Sequence, residues 1–148
     1  METIVVGVDG SDGGASALEF AASEAALRKA RLRVVSAWEI PVAAYGGGFG
    51  PPLDPETQDA FRVRGEQVAD DASAAVKRLQ PSLDVEAVAV PGHPADVLLE
   101  QSADAALIVV GRRGLGGFKS LLLGSVSQQV VHHAACPVVV VNQPATGS

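Results

Sequence analysis

The chain has 148 residues, a length that suits one domain. Hydrophobic residues make up 47% of it and charged residues 19%, which excludes an intrinsically disordered protein. The net charge of −6 argues against a protein that holds nucleic acid through clustered Lys and Arg. The single cysteine, Cys136, excludes an internal disulfide framework and a four-thiolate zinc site. We expect one globular domain over 1–148, with its core at 3–142 and a tail at 143–148.

No segment of the sequence predicts a membrane span or a secretion signal. The longest continuous apolar runs, such as 105–110 and 137–141, fall far short of the ~20 residues that cross a bilayer. The first residues contain neither a basic stretch nor a small-residue cleavage site. The expected location is therefore the cytoplasm, which agrees with the lone cysteine.

The first half of the chain alternates strand and helix patterns. A β-branched run predicts a strand buried on both faces, and an Ala-rich stretch with apolar residues at helical spacing predicts the helix after it. A segment dense in Pro and Gly then predicts a long loop of the kind that serves as a lid or binding loop. In chain order the predicted elements are a strand over 3–8, a helix over 14–30, a strand over 31–38, a loop over 39–55 and a helix over 56–80.

The second half continues the alternation. The predicted elements are a strand over 83–90, a helix over 94–103, a strand over 105–110, a glycine-rich stretch over 111–123, a helix over 124–134 and a strand over 137–142. The order βαβαβαβαβ predicts an open α/β fold, a five-stranded parallel sheet with helices on both faces. Ligands of such sheets bind outside the carboxyl ends of the strands, where the strand order reverses.

The glycine-rich stretch after the fourth strand is the strongest candidate for a binding site. Gly111 and Gly114 let the backbone approach a ligand closely, and the helix that opens at Gly124-Ser125-Val126-Ser127 presents unpaired amides and the positive end of its dipole. Together they suit a phosphate group. Three cations, on Arg112, Arg113 and Lys119, suit a polyphosphate in an otherwise acidic chain. Neither the dinucleotide glycine pattern nor the Walker A pattern is present. A flexible loop followed by a serine-capped helix explains the same residues, so both interpretations stay open at this point.

At these residues the chain resembles the universal stress protein family. Gly111-x-x-Gly114, nine further residues and then Gly124-Ser125 match the G-2x-G-9x-G-[ST] signature of its nucleotide-binding members. The segments IVVGVDGSDGGASAL and PGHPADVLLEQS are also similar to that family, in the same order. The resemblance covers essentially the whole chain. It implies a Rossmann-like sheet of strand order 3-2-1-4-5 with ATP between strands one and four.

The resemblance also implies roles for individual residues. Gly111, Gly114, Gly124 and Ser125 bind the phosphates and ribose, joined by the amide of Val126 and by Ser127. Asp9 matches the family acid beside the nucleotide, where it bonds the ribose or acts through Mg²⁺; a helix N-cap is its alternative role. Ala37 matches the small residue beside adenine. Arg112 departs from the small polar residue of many members, and either reaches phosphate or faces solvent.

Two classes of function follow from these observations. The first is an ATP-binding regulatory protein of the stress response with slow or no hydrolysis, and no residue is assigned a catalytic role. The alternatives are an ATPase or nucleotidyl-transfer enzyme of the same fold, using Asp9 and Mg²⁺, and a non-binding dimeric interaction protein. The apolar strand at 137–142, expected at the sheet edge, predicts a two-fold homodimer.

Three further side chains carry weaker signals. His132 and His133 are adjacent, so on a helix they point in different directions and do not suit a shared metal. We expect one of them to be partly buried and the other exposed. Cys136 is expected to be a small core residue. His93, before Pro94, is expected to be a turn residue.

Overall fold

The structure is a computed structural model, and it describes residues 1–40, 54–112 and 124–142. Within these ranges five strands alternate with four helices in the predicted order. Their bounds are β1 (Thr3–Val8), α1 (Asp12–Arg28), β2 (Arg31–Trp38), α2 (Pro55–Leu79), β3 (Val85–Pro91), α3 (Pro94–Gln101), β4 (Leu107–Gly111), α4 (Ser125–His133) and β5 (Val138–Val141). None of these helices is long and apolar enough to cross a membrane.

The ends of several elements differ from the predicted ones because local hydrogen bonds decide them. Helix α1 begins at Asp12, since Ser11 caps it by accepting the Gly14 amide at 3.2 Å. Strand β3 begins at Val85, since the Leu83 amide closes a turn onto Gln80. Strands β1 and β2 have the predicted bounds. Most of the predicted loop, residues 41–53, lies outside the described residues, as does the tail at 143–148.

All strand pairs of the sheet are parallel, and the strand order is β3-β2-β1-β4-β5. This confirms the open α/β fold and the strand order that the family resemblance implied. Strands β1 and β4 are central, and Ile4, Val5 and Ile108 on them have no exposed surface. Side chains alternate between two apolar clusters along these strands. One cluster packs under α1 and α2 on one face of the sheet, and the other packs under α3 and α4 on the opposite face.

One ion-pair network fastens the amino end of the sheet. Arg33 on β2 has a side chain that is only 14% exposed. Its Nη1 donates to the Gln101 carbonyl at 2.7 Å and to Asp104 at 3.1 Å, and its Nε donates to Glu86 at 3.2 Å. The guanidinium therefore joins β2 to β3 and to the end of α3, where a cation opposes the negative end of the helix dipole.

Replacing Arg33 with Gln should destabilise the protein and change how its stability depends on acid. The hydrogen bond from Arg33 holds the pKa of Asp104 below its ordinary value of 3.8. Ionised Asp104 therefore stabilises the fold above pH 3.8, and this contribution is lost as pH falls through its lower folded pKa. We expect the free energy of unfolding of R33Q, measured with urea, to be about 1 kcal/mol lower because the bond to Gln101 is lost. We also expect this free energy to fall less steeply as the pH is lowered.

The matched control is Arg64→Gln, which removes the same charge from an exposed site in the middle of α2. It should leave both the midpoint and the slope of the acid-dependent unfolding unchanged. If the free energy of unfolding of R33Q falls with decreasing pH as steeply as that of the wild type, the role given to Asp104 is contradicted.

Candidate functional site

The candidate site lies at the carboxyl edge of the sheet, between β1 and β4. Strand β1 continues into α1 on one face, whereas β4 continues toward α4 on the other face. The chain therefore diverges at this point and leaves a crevice between two neighbouring strand ends. Asp9 follows β1 here, Gly111 ends β4, and the first turns of α1 and α4 point toward this edge.

The end of β4 passes directly against the first turn of α1. A Cβ atom added to Gly111 would lie 2.7 Å from the Gly13 carbonyl oxygen and 2.9 Å from the Gly13 carbonyl carbon. Both distances are shorter than packed carbon atoms adopt, and the neighbouring atoms are backbone that does not yield easily. Gly111 is thus required for the close approach of β4 to α1. Sequence reasoning selected Gly111 for ligand contact and missed this packing role, whose partner, Gly13, comes from a distant part of the chain.

Two hydrogen bonds join the end of β4 to the start of α4. The Gly124 amide donates to the Arg112 carbonyl at 2.7 Å, and the Ser127 hydroxyl donates to the Gly111 carbonyl at 2.5 Å. Arg112 and Gly124, the described residues on either side of 113–123, therefore lie next to each other. Gly114 belongs to that segment and lies outside the described residues, as do Arg113 and Lys119.

The first turn of α4 presents a positive, uncapped helix end at this junction. A helix leaves its first amides without intrahelical partners, and here the N-cap residue is Gly124, which has no side chain to accept from them. The first turn contains no acidic residue. Helix α1 differs, because Ser11 caps it and Asp12 stands in its first turn. Of the two, α4 is the one suited to an external anion.

The three residues that open α4 are placed differently. Ser125 is exposed, Val126 is half-buried and Ser127 is buried. The hydroxyl of Ser125 is therefore the one that faces outward from this turn, while that of Ser127 is used inside the fold. The Ser127 hydroxyl donates to the Gly111 carbonyl inside the fold, and the contact of Ser127 with a ligand stays a prediction.

Asp9 is held by the backbone at the opening of α1. Its Oδ1 accepts the Ser11 amide at 2.9 Å, and a Cβ on Gly14 would lie 3.2 Å from the same oxygen. Since Ser11 is the N-cap, Asp9 does not itself cap the helix. The carboxylate is exposed at the edge of the crevice. No group of three or more His, Cys, Asp or Glu residues in 1–40, 54–112 and 124–142 is arranged to hold a metal ion.

Arg112 is half-buried at the end of β4, where its amide donates to the Val141 carbonyl at 2.9 Å. Its Nε is shielded from solvent and has no hydrogen-bond partner among the described residues. A buried donor without a partner costs about 1–3 kcal/mol.

Ala37 lies at the end of β2, paired in register with Val90 of β3. It is half-buried and packs against the apolar cluster under α3 and α4. Trp38 follows it, and its backbone carbonyl accepts the Gly92 amide at 2.8 Å. Ala37 and Trp38 therefore end β2 on opposite faces of the sheet, Ala37 toward α3 and α4 and Trp38 toward α2.

The remaining candidates lie elsewhere. Cys136 packs against the cluster under α3 and α4, and burial raises the pKa of its thiol, as expected for a core cysteine rather than a reactive one. The expectation that one of His132 and His133 is partly buried is wrong, because both are exposed at the last turn of α4. His93 is the N-cap residue of α3, and its Nδ1 lies 3.7 Å from Glu39 Oε1.

Two related proteins match nearly the whole length of this chain. A universal stress protein of Thermus aquaticus is 40% identical over 142 residues, which is 95% of this chain and 98% of that protein. A universal stress protein of Mycobacterium tuberculosis is 34% identical over 97% of this chain. The match occupies 46% of the mycobacterial protein, so the chain spans about half the length of that relative.

Solved structures of universal stress proteins have the same fold as this chain. A universal stress protein crystallised in complex with cAMP is 28% identical, with a TM-score of 0.71 and coverage of 96% of this chain and 97% of that one. The universal stress protein UspA of Lactobacillus plantarum is 26% identical, with a TM-score of 0.75 and coverage of 95% and 97%. The family model of the universal stress protein family matches residues 1–142. The chain therefore belongs to the universal stress protein family.

Proposed function

We propose that this protein binds ATP with Mg²⁺ in the crevice between β1 and β4. In this proposal it acts in the cytoplasm as a nucleotide-dependent regulator of the stress response, with slow or no hydrolysis. The observation that carries the proposal is the junction of β4 and α4, where the opening of α4, which has no side-chain cap among the described residues, lies against Gly111 and Arg112. The cAMP complex of a relative that is 28% identical supports an adenine nucleotide as the ligand class.

The opening of α4 supplies the phosphate contacts. Amides of Ser125, Val126 and Ser127 belong to the first turn, whose N–H groups lack intrahelical partners, and the exposed Ser125 hydroxyl adds a donor. Gly111, Gly114 and Gly124 let the backbone approach the phosphates without a side chain between them. Ser127 positions the turn through its bond to Gly111.

The other residues of the site contact the ribose, the metal ion, a phosphate oxygen and the adenine ring. Asp9 offers a carboxylate oxygen for the ribose or for Mg²⁺, a hard cation that is held by one or two carboxylates together with phosphate oxygens. The guanidinium of Arg112, the residue after β4, offers N–H donors to a phosphate oxygen. Ala37 leaves space for the adenine ring at the end of β2.

Replacing Ser125 with Asp should separate phosphate binding from stability. A carboxylate in the first turn of α4 stabilises the helix dipole, so the melting temperature should stay equal or rise. The same charge repels phosphate, so MgATP should bind at least tenfold more weakly in calorimetric titration at low salt. The control is Ser125→Asn, which has a similar shape without the charge and should lose much less affinity.

Equal affinity of the Asp and Asn variants for MgATP would remove the opening of α4 from the phosphate site. A wild-type protein that shows no saturable heat up to ~1 mM, which corresponds to a binding free energy of about −4 kcal/mol, would refute nucleotide binding itself.

We further propose that the protein forms a two-fold homodimer through β5. This strand lies at one edge of the sheet, and all four of its valines are only half-buried. The amides of Ile108 and Arg112 donate to the carbonyls of Pro137 and Val141. In a parallel pair, successive residues of β5 direct their backbone N–H and C=O groups alternately toward β4 and away from it. The groups of Val138 and Val140 therefore point away from β4, where a second chain can pair with them.

Replacing Val140 with Pro should disrupt this dimer without breaking the pairing of β5 with β4. Proline removes the outward amide of residue 140 and leaves the inward bonds of residues 139 and 141 in place. We expect light scattering at micromolar concentration to show a dimer for the wild type and a monomer for V140P. Val140→Ala keeps the amide and should remain dimeric. A monomeric wild type, or a V140P protein that is still dimeric, would contradict the proposed interface.

A further inference from the structure

Helix α2 extends past the part of the molecule that it packs against. It has 25 residues, and the first buried one is Gly65. Residues 55–64 before it are exposed or half-buried throughout. At 1.5 Å per residue this part of the helix is about 15 Å long. Since α2 packs against the sheet over its second half, the first half projects beyond the carboxyl edge, where the candidate site lies.

Two close contacts show which side of α2 faces that edge. A Cβ atom on Gly65 would lie 2.7 Å from Trp38 Cδ1 and 2.8 Å from Trp38 Cβ, so the indole rests directly on the helix backbone. A Cβ atom on Gly10, just after β1, would lie 3.7 Å from Val68 Cγ2. Around 65–68 the helix therefore lies against the ends of both β2 and β1.

Phe61 lies one helical turn before Gly65. Residues four apart share a face of a helix, so Phe61 is on the face that meets Trp38. Side chains of a helix tilt toward its N-terminus, which directs Phe61 outward past Trp38 and over the carboxyl edge. Phe61 is half-buried although most residues around it on the helix are exposed. Val63, two residues later, is on a different face and is 49% exposed.

We infer that Phe61 and Trp38 form an aromatic wall for the base of the bound nucleotide. This inference rests on the proposed nucleotide site and extends it to the base. Successive residues of a strand point to opposite faces, so Trp38 meets α2 while Ala37 packs toward α3 and α4. The wall therefore borders the crevice on the α2 side, where Gly10, just after β1, lies close to Val68. Bases stack on aromatic side chains because every base has a π-face. The wall therefore recognises a planar heteroaromatic ring, while the opening of α4 holds the phosphates.

Two ligands distinguish binding of the base by the aromatic wall from binding of the phosphates by the opening of α4. MgATP carries a base, whereas magnesium tripolyphosphate carries the phosphate chain alone. In Phe61→Ala we expect calorimetric affinity for MgATP to fall at least fivefold and affinity for magnesium tripolyphosphate to stay within twofold of the wild type. Val63→Ala removes a similar exposed hydrophobic side chain from the same part of α2 and should leave both affinities unchanged.

Two more measurements keep the result interpretable. Trp38 is the only tryptophan, so its emission should change when MgATP binds and should not change with magnesium tripolyphosphate. Phe61→Leu keeps the apolar bulk without the aromatic ring, and its affinity for MgATP should lie between those of the wild type and F61A. It also serves as the test if F61A fails to fold.

The outcomes separate the two proposals. If the wild type binds MgATP and Phe61 variants bind it equally well, the wall is refuted and the nucleotide site stands. If Phe61 variants lose both ligands equally, Phe61 supports the fold of the phosphate site and the wall is likewise refuted. If the wild type binds neither ligand, the nucleotide site itself fails and the wall fails with it.

Discussion

The contact between the end of β4 and the first turn of α1 is the constraint on which the candidate site depends. Gly111 and Gly13 approach so closely that a single methyl group on Gly111 would overlap the Gly13 carbonyl. This contact brings the ends of β1 and β4 and the openings of two helices on opposite faces to one place. A larger residue at 111 would push α1 away and widen the crevice where the strand order reverses.

The same junction explains why the site has a positive character in an acidic protein. The Ser127 hydroxyl fastens the first turn of α4 to the Gly111 carbonyl, and the Gly124 amide fastens the helix start to Arg112. These bonds orient the helix without placing an acid in its first turn. The positive end of the dipole of α4 is thus left for a ligand, whereas α1 is already capped by Ser11.

Much of this fold could be predicted from the sequence because its central strands are encoded locally. The β-branched run of β1 predicts its bounds within the chain itself, and the Pro and Gly positions mark where elements stop. The strand order came from family resemblance, because periodicity does not say which strands are neighbours. Boundaries that local hydrogen bonds decide were less accurate, since the Ser11 cap of α1 and the turn before β3 each move a boundary by two residues.

The parts of the site that were missed depend on contacts between distant residues. The glycine pair at 13–14 is visible in the sequence, but nothing local shows that β4 passes against it. Ser127 was assigned to a ligand, and the structure shows that its hydroxyl donates to a strand end 16 residues earlier. The contacts of α2 with the carboxyl edge were missed for the same reason, because nothing local in the sequence places Gly65 against Trp38 or Val68 beside Gly10.

The most direct test of the central claim is to follow backbone amide resonances by NMR while MgATP is added. The account predicts that the largest changes occur at the carboxyl edge, in 9–11, 111–112 and 124–127. The opposite, amino edge has an open cavity of about 300 Å³ lined by Lys29, Gln80 and Asp84, among others, and its amides should not move. Changes centred on that cavity, with the opening of α4 unaffected, would contradict the claim that the junction of β4 and α4 is the ligand site.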